Sequence, residues 1–365
     1  MKLLTNLSRI LTGGLFIFSG FIKANDPMGF GFKLEEYFEV FGTLFMVPLA
    51  MPMAIIICVF EVLLGIWLLL GKYKKLTIRL LLLMIVFFTF LTFYSAYFDK
   101  VTDCGCFGDA IPLTPWQSFT KDVILLILIL ILLAGEKHIK EVLPAKLGNR
   151  IATIGTLISL IFPLYTYRYL PIKDFRPYKI GNDVVELSKT IRQPDIEMVF
   201  IYEKDGEQFE FPADALPSNL GDYTFVDRKD KVIDPGEPAP IHDFIFSDEQ
   251  GDTSATGVFL GQKGYKLLTV QYDLEKTDLD LQDDMELLEK QLLEKNIPSY
   301  HVCAANTEQI EGLNTSMTYY TVDKTALKTI IRSNPGLVLF KDNTIIMKWP
   351  STRFPSVDDV MEYAK

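Results

Sequence analysis

Five long apolar stretches in the first half of the chain restrict what it can fold into. They cover residues 7–22, 51–70, 76–97, 119–134 and 151–167, and a helix that crosses a bilayer needs about 20 mostly apolar residues. No comparable stretch recurs after residue 170. The pattern predicts a multi-domain protein in which an all-α membrane bundle of five spans comes first and soluble domains follow.

The two halves also differ in charge. Residues 1–170 carry 15 Lys and Arg against 11 Asp and Glu, whereas residues 171–365 carry 21 against 35. An acidic soluble half argues against nucleic-acid binding, which depends on a basic face. Basic short loops usually face the cytoplasm, and here they follow the second and fourth spans. We therefore expect a cytoplasmic N-terminus, with the third loop and the soluble half on the opposite side.

The remaining segments carry weaker but readable patterns. Residues 32–45 have apolar positions at helical spacing, which predicts an amphipathic helix along the outer membrane surface. Residues 171–235 contain short alternating runs bounded by turn residues, typical of a small β-rich module. From residue 236 onward strands alternate with helices and end in a hairpin over 336–348, which indicates an α/β domain.

Two of the four cysteines stand one residue apart in the polar third loop. Cys104 and Cys106 flank Gly105. A disulfide needs Cα atoms about 4.4–6.8 Å apart, and a glycine permits the bend that would bring the pair together. The acidic neighbour Asp103 disfavours a thiolate. A redox-active pair, a structural staple and half of a metal site remain open. The three histidines lack ligand spacing, so we predict no metal.

Ionisable side chains inside the spans are the second candidate group. Glu61 lies in the middle of the second span, where a charge is costly and commonly functional. It is a candidate proton-handling group or a contact for a membrane quinone. Alternatively, it bonds to Arg9 or to a neighbouring helix and locks the bundle. Arg9 and Lys23 lie near opposite ends of the first span, where long basic side chains can snorkel to water. Cys58 and Cys303 are expected to be buried packing residues.

Three motifs occur in order within residues 1–135. The first span carries the pattern Arg9-x3-Gly-x2-Phe-x2-Ser-Gly-x2-Lys23, the second carries Glu61-x3-Gly65, and the third loop reads Asp-Cys-Gly-Cys-Phe-Gly from Asp103. This region resembles the DoxX/MauE group of small four-helix bacterial membrane proteins, to which residues 136–170 add a cytoplasmic loop and a fifth span. The resemblance implies a bacterial inner-membrane protein, with a periplasmic Cys loop, that works beside a thioredoxin-like protein in the maturation of a disulfide-rich partner.

Residues 236–365 resemble thioredoxin-like domains of the TlpA type. The segment 333–340 stands where that family has its cis-proline and the following strand, so Pro335 is the expected cis-proline. The family's Cys-x-x-Cys would follow the strand at 266–272, but residues 273–278 contain no cysteine. Two functions remain open: a membrane thiol–disulfide oxidoreductase that acts on a protein partner through the Cys104–Cys106 loop, or a non-catalytic anchor whose outer modules recruit partners in an envelope complex.

Overall fold

Five long helices form the first half of the protein. The structure, a computed structural model, describes residues 1–101, 105–193, 195–234, 236–237, 239–248, 250–277, 280–313 and 315–365. Among these residues, five helices are long and apolar enough to cross a membrane: Lys2–Asn25, Leu44–Leu70, Lys74–Phe98, Pro115–Ala134 and Ala145–Arg168. The five predicted spans are therefore confirmed, and each helix extends a few residues beyond the apolar stretch that predicted it.

The helices of this half are α1 (Lys2–Asn25), α2 (Pro27–Val40), α3 (Ala50–Leu70), α4 (Lys74–Phe98), α5 (Pro115–Ala134) and α6 (Ala145–Arg168). A 3-10 helix at Leu44–Leu49 leads into α3. The core of the bundle is aliphatic and includes Leu64, Ile78 and Ile129. Leu83 and Ile154 point outward and are exposed on the protein surface, as expected for helices whose outer faces meet lipid.

The helix predicted over residues 32–45 exists, but its predicted bounds are wrong. It begins at Pro27 because Asp26 caps it: the Asp26 carboxylate accepts a hydrogen bond from the Gly29 amide. Proline is favoured at the first helical position because its missing N–H has no helical partner there anyway. The helix ends at Val40. It contacts α3 on one side, and its Met28 packs in the core of the C-terminal domain.

A small antiparallel sheet follows the bundle. Its strands β1 (Asp195–Lys204), β2 (Glu207–Pro212) and β3 (Thr224–Asp234) lie in the order β2-β1-β3. The β1–β2 hairpin turns at Asp205 and Gly206, which both have positive φ, and this backbone suits a tight hairpin. Tyr202 and Phe225 pair across the strands with ring centroids 5.7 Å apart.

The C-terminal domain contains a mixed five-stranded sheet in the order β6-β5-β4-β7-β8. The strands are β4 (Tyr265–Gln271), β5 (Ser299–Cys303), β6 (Tyr319–Thr321), β7 (Gly336–Lys341) and β8 (Thr344–Pro350). Strands β4, β5 and β6 are parallel, whereas β7 and β8 pair antiparallel. The Asn334–Pro335 peptide bond that precedes β7 is cis.

The helices of the second half are short, apart from α9. They are α7 (Val184–Leu187), α8 (Ser254–Gly261), α9 (Asp280–Leu293), α10 (Thr307–Glu311), α11 (Lys324–Ile330) and α12 (Val357–Tyr363). Tyr178 and Val184, which precede the small sheet in sequence, pack in the core of the C-terminal domain. The predicted fold class, a helical membrane bundle followed by a β-rich module and an α/β domain, is confirmed.

Candidate functional site

The first and third helices approach each other through glycines. A Cβ atom placed on Gly65 of α3 would lie 2.7 Å from the carbonyl oxygen of Gly13 on α1, and one on Gly20 would lie 2.7 Å from a methyl carbon of Val62. Small residues at such crossings let helix backbones come into contact within a membrane. The glycines of the first two motifs therefore set the distance at which side chains of α1 and α3 meet.

At this crossing Lys23 and Glu61 form a buried ion pair. The Lys23 Nζ lies 2.7 Å from Glu61 Oε1, and the two side chains are only 3% and 4% exposed. Lys23 also donates to Ser19 Oγ at 2.8 Å and to the Cys106 carbonyl oxygen at 3.3 Å, so its three N–H groups have three acceptors. The other Glu61 oxygen, Oε2, has no hydrogen-bond partner among the described residues. Lys23 therefore does not snorkel to water.

Arg9 is also buried, but it does not contact Glu61. Its guanidinium donates to the carbonyl oxygens of Leu68 at 2.7 Å, Leu69 at 2.7 Å and Lys140 at 3.1 Å. Leu68 and Leu69 end α3, where carbonyl groups lack helical partners. The expectation that Arg9 snorkels to water was therefore wrong, as it was for Lys23. Of the two bonding partners considered for Glu61, Arg9 or a neighbouring helix, the structure shows the neighbouring helix, through Lys23. Arg9 ties the end of α3 to the segment before α6.

Cys106, in the loop between α4 and α5 that we call the Cys loop, lies against the Lys23–Glu61 pair. Cys106 is 7% exposed, and its carbonyl oxygen accepts from Ser19 Oγ at 3.0 Å as well as from Lys23. Gly105 and Gly108 have φ angles of 66° and 48°, the left-handed region that glycine adopts without strain. Asp103 and Cys104 lie outside the described residues, so the geometry of the predicted pair is not observed.

A cavity of about 20 Å³ lies between this pair and α5. Its polar lining comprises Ser19, Lys23, Glu61, Cys106, Lys121 and Asp122. Asp122 is 1% exposed, forms an ion pair with Lys121 and accepts from Thr92 Oγ1 at 3.1 Å. Sequence reasoning missed Lys121 and Asp122, although both stand inside the fourth apolar stretch, and an ionisable residue there was itself the signal. The cavity has room for about one water molecule.

The other predicted residues lie apart from this cavity. Pro335 belongs to the turn before β7. In the same turn, the side-chain amide of Asn334 donates to the Asp273 carbonyl oxygen at 2.6 Å. Cys303 is fully buried among Met285, Met317 and Tyr319, and burial raises the pKa of its thiol to about 12. Cys58 is fully buried in α3. In the described part of the chain, no three His, Cys, Asp or Glu side chains are grouped so that they could hold a metal ion.

Comparison with known proteins found two family models and one relative that match parts of the chain. Residues 1–135 match the family model of the methylamine utilisation protein MauE, and residues 196–235 match a domain of unknown function, DUF8463. Protein TlpB of Flavobacterium psychrophilum is 29% identical over 192 residues, which are 50% of this chain and 49% of TlpB. The chain thus spans about half the length of this curated relative. No solved structure matches. The protein is a multi-pass membrane protein whose bundle is similar to MauE.

Proposed function

We propose that this protein exchanges disulfides with a protein partner through Cys104 and Cys106. The observation that carries the proposal is the placement of Cys106 against the buried Lys23–Glu61 pair. Thiol–disulfide exchange requires a thiolate, and a nearby cation favours the thiolate over the thiol. The Lys23 ammonium, which donates a hydrogen bond to the Cys106 carbonyl oxygen, provides that cation inside the bundle.

The proposed exchange involves only four sulfur atoms, those of Cys104 and Cys106 and those of a dithiol in the partner. A thiolate of the partner's dithiol attacks the Cys104–Cys106 disulfide and forms a mixed disulfide, and the partner's second thiolate then displaces the loop sulfur. Two electrons pass from the partner to the loop, the partner gains a disulfide, and two protons reach the loop sulfurs. In the reverse direction the loop thiols lose those protons. Glu61 Oε2, which has no partner in the described chain, is our candidate acceptor for the Cys106 proton.

A membrane quinone, the electron acceptor considered from the sequence, does not fit the cavity beside Glu61. A space of about 20 Å³ admits about one water molecule and no quinone ring. We therefore derive no step through a quinone, and the exchange is written with protein thiols alone.

The proposal includes a location and a division of labour. The charge pattern supports a cytoplasmic N-terminus, with the Cys loop and the C-terminal domain in the periplasm, and the similarity to MauE supports a bacterial inner membrane. We assign residues 1–135 to a DoxX/MauE-type bundle, 136–170 to a cytoplasmic loop and the fifth span, and 236–365 to a thioredoxin-like domain. Residues 171–235 are the segment of the β-rich module, and its first part, which includes Tyr178 and Val184, packs on the C-terminal domain. Because the thioredoxin-like domain has no Cys-x-x-Cys, its role in this scheme is docking.

The thiol state of the loop in living cells tests this function. Cells are quenched with acid, and Cys104 and Cys106 are alkylated with a mass tag before and after a short pulse of mild reductant. We expect a mixed population that becomes reduced and recovers within minutes. Cys303→Ser is the control, because that thiol is buried among Met285, Met317 and Tyr319 and its loss should leave the cycle unchanged. A loop that stays oxidised and resists the reductant would contradict the proposal.

One observation favours a second candidate function, a non-catalytic membrane anchor. The segment after β4 is a 3-10 turn at Leu274–Lys276, and it has no cysteine where a thioredoxin-like domain would carry its redox pair. In this alternative Cys104 and Cys106 only staple the loop, and the outer modules recruit partners. The double variant Cys104→Ala/Cys106→Ala separates the two. Lost function at normal abundance supports exchange, whereas retained function supports the anchor.

A further inference from the structure

The C-terminal domain contacts Asp109 of the Cys loop and several residues of α2. Arg332, just after α11, pairs with Asp26 at 2.9 Å and with Asp109 of the loop at 3.2 Å, and it is only 8% exposed. Burial disfavours a charged guanidinium, but the Asp26 and Asp109 carboxylates outweigh that effect and raise the pKa of Arg332 above its ordinary value. One side chain of the C-terminal domain thus joins the cap of α2 to the loop that follows Cys106.

The contact extends well beyond this arginine. Lys328 pairs with Glu35 of α2 at 3.1 Å and lies 4.0 Å from the ring centroid of Phe32. Phe32 also meets Tyr272 edge to face, with ring centroids 5.8 Å apart. Met28 of α2 is part of the domain's own hydrophobic core. Charged, aromatic and aliphatic contacts therefore hold one face of the domain against α2. At protein interfaces, aromatic and Arg side chains are enriched among the few residues that carry most of the binding energy.

A second attachment lies beside the first. Asn25 at the end of α1 exchanges two hydrogen bonds with the Lys173 backbone, at 2.8 and 3.1 Å. The neighbouring Asp174 pairs with Lys348 of β8 at 3.0 Å and with Arg176 at 2.8 Å. The chain that leaves α6 is thus fastened both to the bundle and to the C-terminal sheet.

The docked edge of the domain is the one at which a thioredoxin-like domain would react. It contains the cis Asn334–Pro335 bond and the end of β4, where Tyr272 contacts α2. Between this edge and the loop there is a cavity of only about 60 Å³, lined in part by Gly105, Gly108 and Arg332. That volume holds a few water molecules. It is too small to admit a partner's cysteine together with its backbone.

We propose that the C-terminal domain is a clamp for the Cys loop of its own bundle, held by Arg332, and that Cys106 reacts with outside thiols only when the domain lifts. The inference rests on the proposed function for its biological meaning, because the clamp would then decide when exchange takes place. The geometry itself concerns access to Cys106 and is independent of any redox role.

The rate at which Cys106 is labelled tests the clamp. The full-length protein is purified in detergent with Cys58, Cys104 and Cys303 changed to Ala, and it is treated with a 5 kDa polyethylene glycol maleimide. We expect Arg332→Gln to speed labelling of Cys106 by at least about tenfold, since two charge-assisted contacts are lost. Lys324→Gln is the matched control. It removes a charge from α11, the helix that precedes Arg332, but Lys324 pairs with Asp273 inside the domain. The labelling rate of this variant should equal that of the parent.

A second measurement keeps the clamp testable if Arg332→Gln does not fold. A carbodiimide can join Lys328 to Glu35, whose charged atoms are 3.1 Å apart, and the cross-linked protein should label more slowly than the untreated one. Glu35→Gln cannot form this link and should show no slowing. Equal labelling of linked and unlinked protein would overturn the clamp, as would equal rates for Arg332→Gln and Lys324→Gln.

These outcomes are separate from those of the thiol-state test. A Cys106 that becomes accessible in Arg332→Gln, in a protein whose loop never cycles in cells, would leave the clamp standing without the redox function. A loop that cycles while domain docking has no effect on labelling would refute only the clamp.

Discussion

Substitution of Lys23 gives the sharpest test of how the bundle is held together. In the structure its ammonium is 3% exposed and donates to Glu61, Ser19 and the Cys106 carbonyl oxygen. Lys23→Met leaves the Glu61 carboxylate buried without its counter-charge. Breaking a buried ion pair in this way costs about 3–5 kcal/mol of unfolding free energy. We expect Glu61→Leu to cost a similar amount, because it strands the ammonium.

The double variant Lys23→Met/Glu61→Leu should be far more stable than the sum of the single variants implies. Burying an apolar pair of similar volume has no cost of charge desolvation, and such replacements are often neutral. We therefore expect the unfolding free energy of the double variant to lie within about 1 kcal/mol of that of the parent. The cycle is measured by reversible unfolding in mixed detergent micelles. The coupling energy, the departure from additivity, should amount to several kcal/mol.

The control cycle uses the partly exposed pair Lys33 and Glu36, 2.9 Å apart on α2. Exposed ion pairs of this kind contribute about 0–1 kcal/mol, so Lys33→Met and Glu36→Leu should change stability little and show little coupling. If Lys23→Met cost no more than Lys33→Met, the charge of Lys23 would not be buried against Glu61.

Three further predictions concern packing, pH and thiol reactivity. Gly65→Ala should destabilise the bundle by about 1–3 kcal/mol, because the new Cβ would meet the Gly13 carbonyl oxygen. Gly14→Ala should leave stability unchanged, because a Cβ at Gly14 has no atom within 4 Å. Unfolding of the two variants in micelles compares them. Burial tends to raise the pKa of Asp174, but Arg176 and Lys348 lower it to about 2 from 3.8. The unfolded state therefore binds the proton first on acidification, and the stabilisation is complete above about pH 4 and lost towards pH 2. Melting temperatures from pH 5 to 2 should fall less steeply for Asp174→Asn than for the parent. Since burial raises the pKa of Cys303 to about 12, maleimide at pH 8 should label this thiol only after denaturation, and labelling of the native protein at Cys303 would contradict its placement.

Much of the fold could be predicted from the sequence because the responsible signals are local. Apolar runs long enough to cross a bilayer identified all five spans, and the hairpin over 336–348 was evident from strand composition and the turn between β7 and β8. The error at α2 was also local, since Asp26 followed by Pro27 is a helix-start signal that the apolar spacing further along the chain obscured. Lys121 and Asp122 were missed in the same way, inside a span read only for its hydropathy.

The sequence by itself determined which segments enter the membrane and that two cysteines stand in the loop between the third and fourth spans. Only the tertiary structure decided that Glu61 pairs with Lys23, 38 residues away, and that Arg9 instead binds carbonyl groups. It likewise decided that Arg332 pairs with Asp26, 306 positions away, and with Asp109 of the loop. Hydropathy and helix caps act over a few neighbouring residues. The choice among several buried charges depends on which helix faces meet, and that is set by close packing of glycines and side chains from distant parts of the chain.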